Sequence, residues 1–160
     1  MLIALMRHGE AESTAKTGRD FDRALSQNGF KHAETIGKIL LKKAIFPKNV
    51  MCSPALRTRQ TLAALHLGKN TQLNFQNQLY YGSVRDYLTV TVNAERNGFP
   101  LLVIGHNPAI SLIMSELCGF DGTPVLVNFL KPVNLALIDV PEESKQQLIG
   151  KGHLIHVVTP

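Results

Sequence analysis

The stretch LIALMRHGE, residues 2–10, decides the fold. Its apolar half, Leu2 to Met6, is short and stops abruptly at Arg7, His8 and Gly9. Such a run reads as a buried strand. A core strand that ends in two cation-capable side chains and a glycine presents them at a rim.

The same grammar recurs downstream. NVMCS (49–53) reads as a second short strand ending at Ser53, TQLNFQ (71–76) as a third, and PLLVIG (100–105) as a fourth that runs into His106, Asn107 and Pro108. Between them the apolar residues fall at helical spacing. Phe30, Ala33, Ile36, Gly37 and Leu40 or Leu41 predict a helix over 27–43, with Ser26 as its N-cap. Pro54 suits a first helical position, which puts a second helix over 54–68 with Gly68 as its stop. Val84, Tyr87 or Leu88, Thr91 and Ala94 or Glu95 predict a third helix over 82–97, and AISLIMSELCG (109–119) a fourth. VNLALIDV (133–140) and HLIHVV (153–158) are two final strands joined by the polar PEESKQQLIGKG, while residues 10–24 read as a loop.

Strand and helix therefore alternate until a closing strand pair. The expected fold class is α/β: a single-domain, mostly parallel sheet flanked by helices on both faces, with an antiparallel edge strand. No repeat, low-complexity tract or linker divides residues 1–160, so one domain is expected.

The formal charge of +5 suits anionic partners. With no dense Lys/Arg run, no aromatic RNA-binding signature and no zinc-finger spacing, nucleic acid is not expected among them. No apolar run approaches the ~20 residues of a membrane span. MLIALM has no basic segment before it and is too short for a signal peptide, so a cytoplasmic location is expected. Cys52 and Cys118 lack metal spacing and read as reduced core thiols. Met6, Met51 and Met114 read as core filling, and His32, His66, His153 and His156 as surface or packing residues.

In parallel α/β sheets, ligands bind beyond the carboxyl ends of the strands. Three strand ends here bear unusual side chains: Arg7 with His8, Ser53 with Arg57 one turn into the next helix, and His106 with Asn107. Each piece alone reads as a turn or a solvated helix face, but together they converge on one rim. Two guanidiniums offer planar forks for phosphate oxygens. A neutral imidazole can attack phosphorus, and a second can donate to an equatorial oxygen. No cluster of Asp and Glu stands beside them, so neither a Mg²⁺ site nor another cofactor is expected. The set fits phosphoryl transfer without metal.

These motifs resemble the histidine phosphatase superfamily, also called phosphoglycerate mutase-like, and most of all its small SixA-type phosphohistidine phosphatases. The carrying residues are RHGE (7–10), SPALRTRQT (53–61) and GHNP (105–108), together with Arg23, Leu25, Ser26 and Gly29 of an R-x-L-[ST]-x-x-G stretch. The resemblance runs from residue 1 to about 120. It implies that His8 is the nucleophile that becomes phosphohistidine, with Arg7, Arg57 and His106 completing a phosphate pocket. Asn107 would reach a phosphate oxygen through its amide. Ser53 and Thr61 would support Arg57 and the loop, and Gly9 would let the backbone turn beside the phosphate without a Cβ in the way.

One departure from the family bears on substrate. Many members supply a carboxylic acid after the third strand or an Asp after the second histidine. Here Tyr80 and Tyr81 stand in the first place and Asn107 in the second, leaving Asp86 or Glu10 to swing in as an acid, or none. An alkoxide needs that proton, whereas a phosphohistidine ring can already carry one and leave as neutral imidazole, whose pKa is about 6.5. The chain is also short, with few residues to cap the site. The expected substrate is thus a phosphorylated protein such as a His-phosphotransfer domain. The alternatives are a small phosphorylated metabolite cleaved by the same scaffold, or a non-catalytic phosphate-binding module.

Overall fold

The computed structural model describes residues 1–94, 98–119, 130–144 and 147–160. Residues 95–97 of the third expected helix and residues 145 and 146 of the expected polar turn lie outside them. Among the described residues six strands form one sheet: β1 (Leu2–Arg7), β2 (Asn49–Cys52), β3 (Gln72–Phe75), β4 (Leu101–Gly105), β5 (Leu135–Asp139) and β6 (His153–Val158), in the order β3-β2-β4-β1-β5-β6. The first four are mutually parallel. β5 runs antiparallel to β1, and β6 antiparallel to β5 at the edge. The expected antiparallel pair is therefore present; the strand reversed against the parallel set is β5, one place in from the edge.

Both faces of the central sheet are covered, which is why β1 and β4 read as near-continuous apolar runs rather than alternating ones, while the edge strands β3 and β6 are largely exposed. Ile3, Leu5, Leu101 and Val103 join one core cluster with Tyr87, Val90, Ile110 and Ile113. Ala4, Met6, Leu102 and Ile104 join the other with Ala33, Ile36, Leu40, Leu62 and Leu65. The first face is packed by α3 (Gln78–Tyr81), α4 (Val84–Ala94) and α5 (Ala109–Cys118), and the second by α1 (Gln27–Lys42) and α2 (Leu56–Ala64). Met6, Met51 and Met114 are buried in these clusters, as is Cys52, while Cys118 is half-buried. No helix among the described residues is long and apolar enough to cross a membrane.

The second expected helix is trimmed at both ends. Residues 53–55 stay outside the helix, with Ala55 at φ −58° and ψ 149°, so Pro54 precedes α2 instead of opening it. At the other end His66, at φ +49°, takes the left-handed position expected of a glycine, and α2 stops before Gly68. Four-residue α3 was not expected at all, and α4 starts at Val84 rather than at residue 82. Ser83 and Asp86 exchange hydrogen bonds there, with the Ser83 N–H donating to Asp86 Oδ2 over 2.8 Å.

Ser26 caps α1 as expected, its Oγ accepting from the Gly29 N–H at 3.0 Å. It is also latched to the β1 exit: Ser26 N–H donates to the Glu10 carbonyl, and Ser26 Oγ to Glu10 Oε1 at 2.7 Å. Gly29 explains its place in the motif, since a Cβ there would collide with the Glu10 carbonyl oxygen. Gly9 has a reason to lack a side chain besides the expected one. Its missing Cβ would press on Leu25 Cδ2 at 3.0 Å and on the Gly29 carbonyl at 3.1 Å, so Leu25 and the first turn of α1 crowd it. Gly29→Ala is expected to destabilise the fold. The backbone shift it forces should cost ~1–3 kcal/mol or more, against a helix-propensity gain of about 1 kcal/mol. A lowered midpoint in urea would show this, and an unchanged or raised midpoint would contradict it.

Candidate active site

The parallel strands end level with one another: Arg7 pairs in register with Gly105, and Cys52 with Ile104. The residues that follow, His8, Ser53 and His106, therefore emerge side by side at the rim. The His8 and His106 rings lie 5.0 Å apart. Arg57, buried in the first turn of α2, reaches between them. Its Nε donates to His8 Nε2 at 3.3 Å and its Nη2 to His106 Nδ1 at 3.3 Å.

A guanidinium is always a donor, so these contacts set both tautomers. His8 Nε2 holds a lone pair facing the pocket, while Nδ1–H donates to the Gly9 carbonyl at 2.6 Å. His106 Nδ1 likewise accepts, and its Nε2–H donates to Ser53 Oγ at 2.8 Å. Burial lowers the His8 pKa to about 4, with help from the charges of Arg57, Arg7 and Arg23 and against the Gly9 hydrogen bond. Burial also lowers His106, to about 3, and His8, once protonated, and the Arg57 charge add to it. Both rings are neutral at pH 7. An unfolded histidine takes up its proton near pH ~6.5, so between there and about pH 4 the unfolded chain binds more protons than the folded one. Stability should fall as pH falls through that window. Thermal midpoints taken from pH 7 to pH 4.5 test this, and a flat profile would contradict it.

Two backbone devices hold the cluster. Thr61 Oγ1 accepts from the Gly9 N–H at 2.9 Å and donates to the Arg57 carbonyl at 2.7 Å, tying the β1 exit to α2. The His106 N–H donates to the Tyr87 hydroxyl, which in turn donates to the Leu79 carbonyl at 2.7 Å. Gly105 has no Cβ to meet that hydroxyl. Ser53, expected to support Arg57, supports His106 instead.

Arg7 is half-buried; its Nη1 donates to the Leu130 carbonyl at 3.2 Å, and its Nε is a buried donor without a partner among the described residues. A buried, unsatisfied guanidinium nitrogen beside two neutral imidazoles suits an incoming anion. The Asn107 amide, expected on that anion, is committed elsewhere. Its Nδ2 donates to the same Leu130 carbonyl at 2.9 Å, and its Oδ1 accepts from Ser111 Oγ. Asn107 thus fixes the acceptor that orients Arg7.

Neither expected candidate acid faces the pocket. Glu10 holds Ser26, and Asp86 holds Ser83 on an exposed surface. The carboxylate that does stand there is Asp20, on a short 3-10 turn, Asp20–Asp22, and sequence reasoning missed it. Its Oδ2 accepts from Arg57 Nη2 at 3.0 Å and from the Tyr80 hydroxyl at 2.9 Å, and its Oδ1 from Arg23 Nη1. Arg57 Nη1 also donates to the Asp20 carbonyl at 2.8 Å. Partial burial works to raise the Asp20 pKa, but the hydrogen bonds from Arg23, Tyr80 and Arg57 prevail and hold it at about 2. The one clue in the sequence is the i,i+3 spacing of Asp20 and Arg23, which form an ion pair. His32, His66, His153 and His156 are exposed and away from this cluster. Among the described residues no three of His, Cys, Asp and Glu are grouped to hold a metal ion.

Comparison with known proteins shows what the chain as a whole is similar to. Residues 3–80 match the Histidine phosphatase superfamily (branch 1). An uncharacterised protein of Mycobacterium tuberculosis is 32% identical over 123 residues, covering 76% of this chain and 75% of that one. Phosphohistidine phosphatase SixA of Escherichia coli is 28% identical over 133 residues, 78% of this chain and 79% of its own. Among solved structures, a candidate SixA of Nakamurella multipartitia superposes with a TM-score of 0.86 at 27% identity, covering 99% of this chain and 95% of that one. The protein histidine phosphatase SixA complexed with tungstate superposes at 0.79 with 26% identity, covering 100% and 97%. An α-ribazole phosphatase of Shigella flexneri, 14% identical, shares the fold at 0.74 with coverage of 100% and 96%.

Proposed function

Since the chain belongs to the histidine phosphatase superfamily and is a phosphatase, we propose that it removes the phosphoryl group from phosphohistidine on a protein, through a phosphohistidine intermediate on His8. The observation that carries the reading is the pairing of a neutral His8 Nε2 with a pocket in which, among the described residues, no carboxylic acid is free. Asp20 is held as an anion, and Glu10 and Asp86 are engaged elsewhere. Such a site is prepared to attack phosphorus and poorly prepared to protonate an alkoxide.

The step balances without an added acid. The His8 Nε2 lone pair forms the new N–P bond as the P–N bond to the substrate imidazole breaks. The substrate ring, already protonated at its other nitrogen, departs neutral. Arg57 and the free Nε of Arg7 take the equatorial oxygens. Water then attacks phosphorus, the electrons of the P–N bond return to His8, and the water proton leaves with phosphate. For His106 to donate to an equatorial oxygen its Nδ1 must gain a proton, and the phosphoryl charge favours that gain. Tungstate binding by the SixA relative supports an oxyanion site here. The mouth, with Tyr81 85% exposed, leaves room for a protein surface, and a cytoplasmic partner fits.

The test compares kcat/KM for a phosphohistidine-bearing His-phosphotransfer domain with that for sugar phosphates. A missing general acid is worth about 10²–10⁴-fold, and the phosphohistidine substrate should lead by at least the lower figure. Faster turnover of the sugar phosphates would assign the protein to small metabolites instead.

A further inference from the structure

A second cavity, of about 600 Å³, lies at the other end of the sheet. Its lining includes Pro47 and Lys48 just before β2 and Asn70 and Thr71 just before β3, where the parallel strands begin rather than end. The C-terminal half of α1 and the segments that follow α1 and α2 form its walls, and nothing in the phosphate chemistry uses it.

Its chemistry is specific in kind. The walls are apolar: Leu40, Leu41, Ile45, Phe46, Leu65 and Leu67. Leu41 and Phe46 stand 67% and 57% exposed there. Lys38, Lys48 and Lys69 also line the cavity, and none makes an ion pair among the described residues. Its one acidic side chain, Glu34, faces His66 at 3.9 Å. His66, and Ala44 beside the lining residue Ile45, are non-glycine residues held at φ +49° and +54°. Left-handed backbone commonly ends helices. Here it turns the chain out of α1 and α2 beside the cavity.

The geometry points to a binding site for an anionic amphiphile of small-molecule size, its chain against the leucines and its carboxylate among the lysines. Volume decides against larger occupants: the cavity falls within the ~300–1,000 Å³ of small-ligand sites. A protein partner needs roughly 800 Å² of surface on each side, and a membrane needs a face that projects rather than one that is hollow.

Decanoate, with decanol as its uncharged counterpart, is the probe. Calorimetry on the full chain should show saturable one-to-one binding of decanoate, with decanol weaker by at least several-fold. Gly68 supplies the blocking variant, since it lines the cavity, has open space where a Cβ would project, and does not need a left-handed backbone. Gly68→Trp should abolish decanoate binding while the thermal midpoint and phosphatase activity stay as they were. Leu41→Glu, at an exposed wall position, gives a second arm should the tryptophan disturb folding, and should weaken decanoate more than decanol. The assignment is overturned by unsaturable uptake, by equal binding of the two probes, by undiminished binding in both variants, or by a groove that takes an acidic amphipathic peptide or vesicles but not decanoate.

Discussion

His8→Ala is expected to lower turnover of a phosphohistidine substrate by on the order of 10⁴-fold or more, as removal of a nucleophile does when the remaining groups only bind and polarise. Loss of rate alone would not separate chemistry from structure, because the His8 ring also touches His106 and Arg57. Two further readouts do. Wild-type protein quenched during turnover should carry an acid-labile phosphoryl group, and the variant none. The alanine also leaves a ring-sized gap beside Arg57, so added imidazole should restore part of the rate. A variant that kept full activity would remove His8 from the mechanism.

Arg57→Lys is the second large effect, expected to cost about 10²–10³-fold in kcat/KM, the usual price of one aimed donor to a developing charge. Arg57 is bonded on every nitrogen: Nε to His8, Nη1 to the Asp20 carbonyl, and Nη2 to both Asp20 Oδ2 and His106. A single ammonium cannot reproduce that fork. It does keep the positive charge that helps to lower both imidazoles, so the acid limb of the pH profile should stay in place while the rate falls. Arg57→Ala removes the charge as well. Burial still dominates His8 and His106, but losing a neighbouring cation moves both pKa values upward, and the acid limb should shift to higher pH. If the lysine variant retained wild-type kcat/KM, charge alone would suffice and the fork would be incidental.

Much of this was readable in advance because strands buried on both faces write their own boundaries. Leu2 to Met6 and Leu101 to Gly105 could hardly be anything else, and they deliver His8 and His106 to one rim. Ser26 announced the start of α1. Less could be read where a residue's meaning depends on a distant partner. Asp20 is one polar residue in a polar loop until Arg57, far along the chain, folds against it. Asn107 looked aimed at an anion because Leu130, which takes its amide, follows a long intervening segment. Gly9 was legible as a residue that must lack a side chain, but the crowding by Leu25 and α1 is something no local reading supplies. The four residues of α3 are too few to show a period.

The sheet order has a consequence for how the protein is made. Among the described strands β1 pairs with β4 and β5, both of which belong to the far half of the sequence. At ~5–20 residues per second, roughly a hundred residues of synthesis leave that apolar strand without its neighbours for about 5–20 s. The strand that leads into His8 thus waits for partners made about a hundred residues later. Until β4 fills the place between β1 and β2, Leu2 to Met6 lack the sheet neighbours that cover them in the fold.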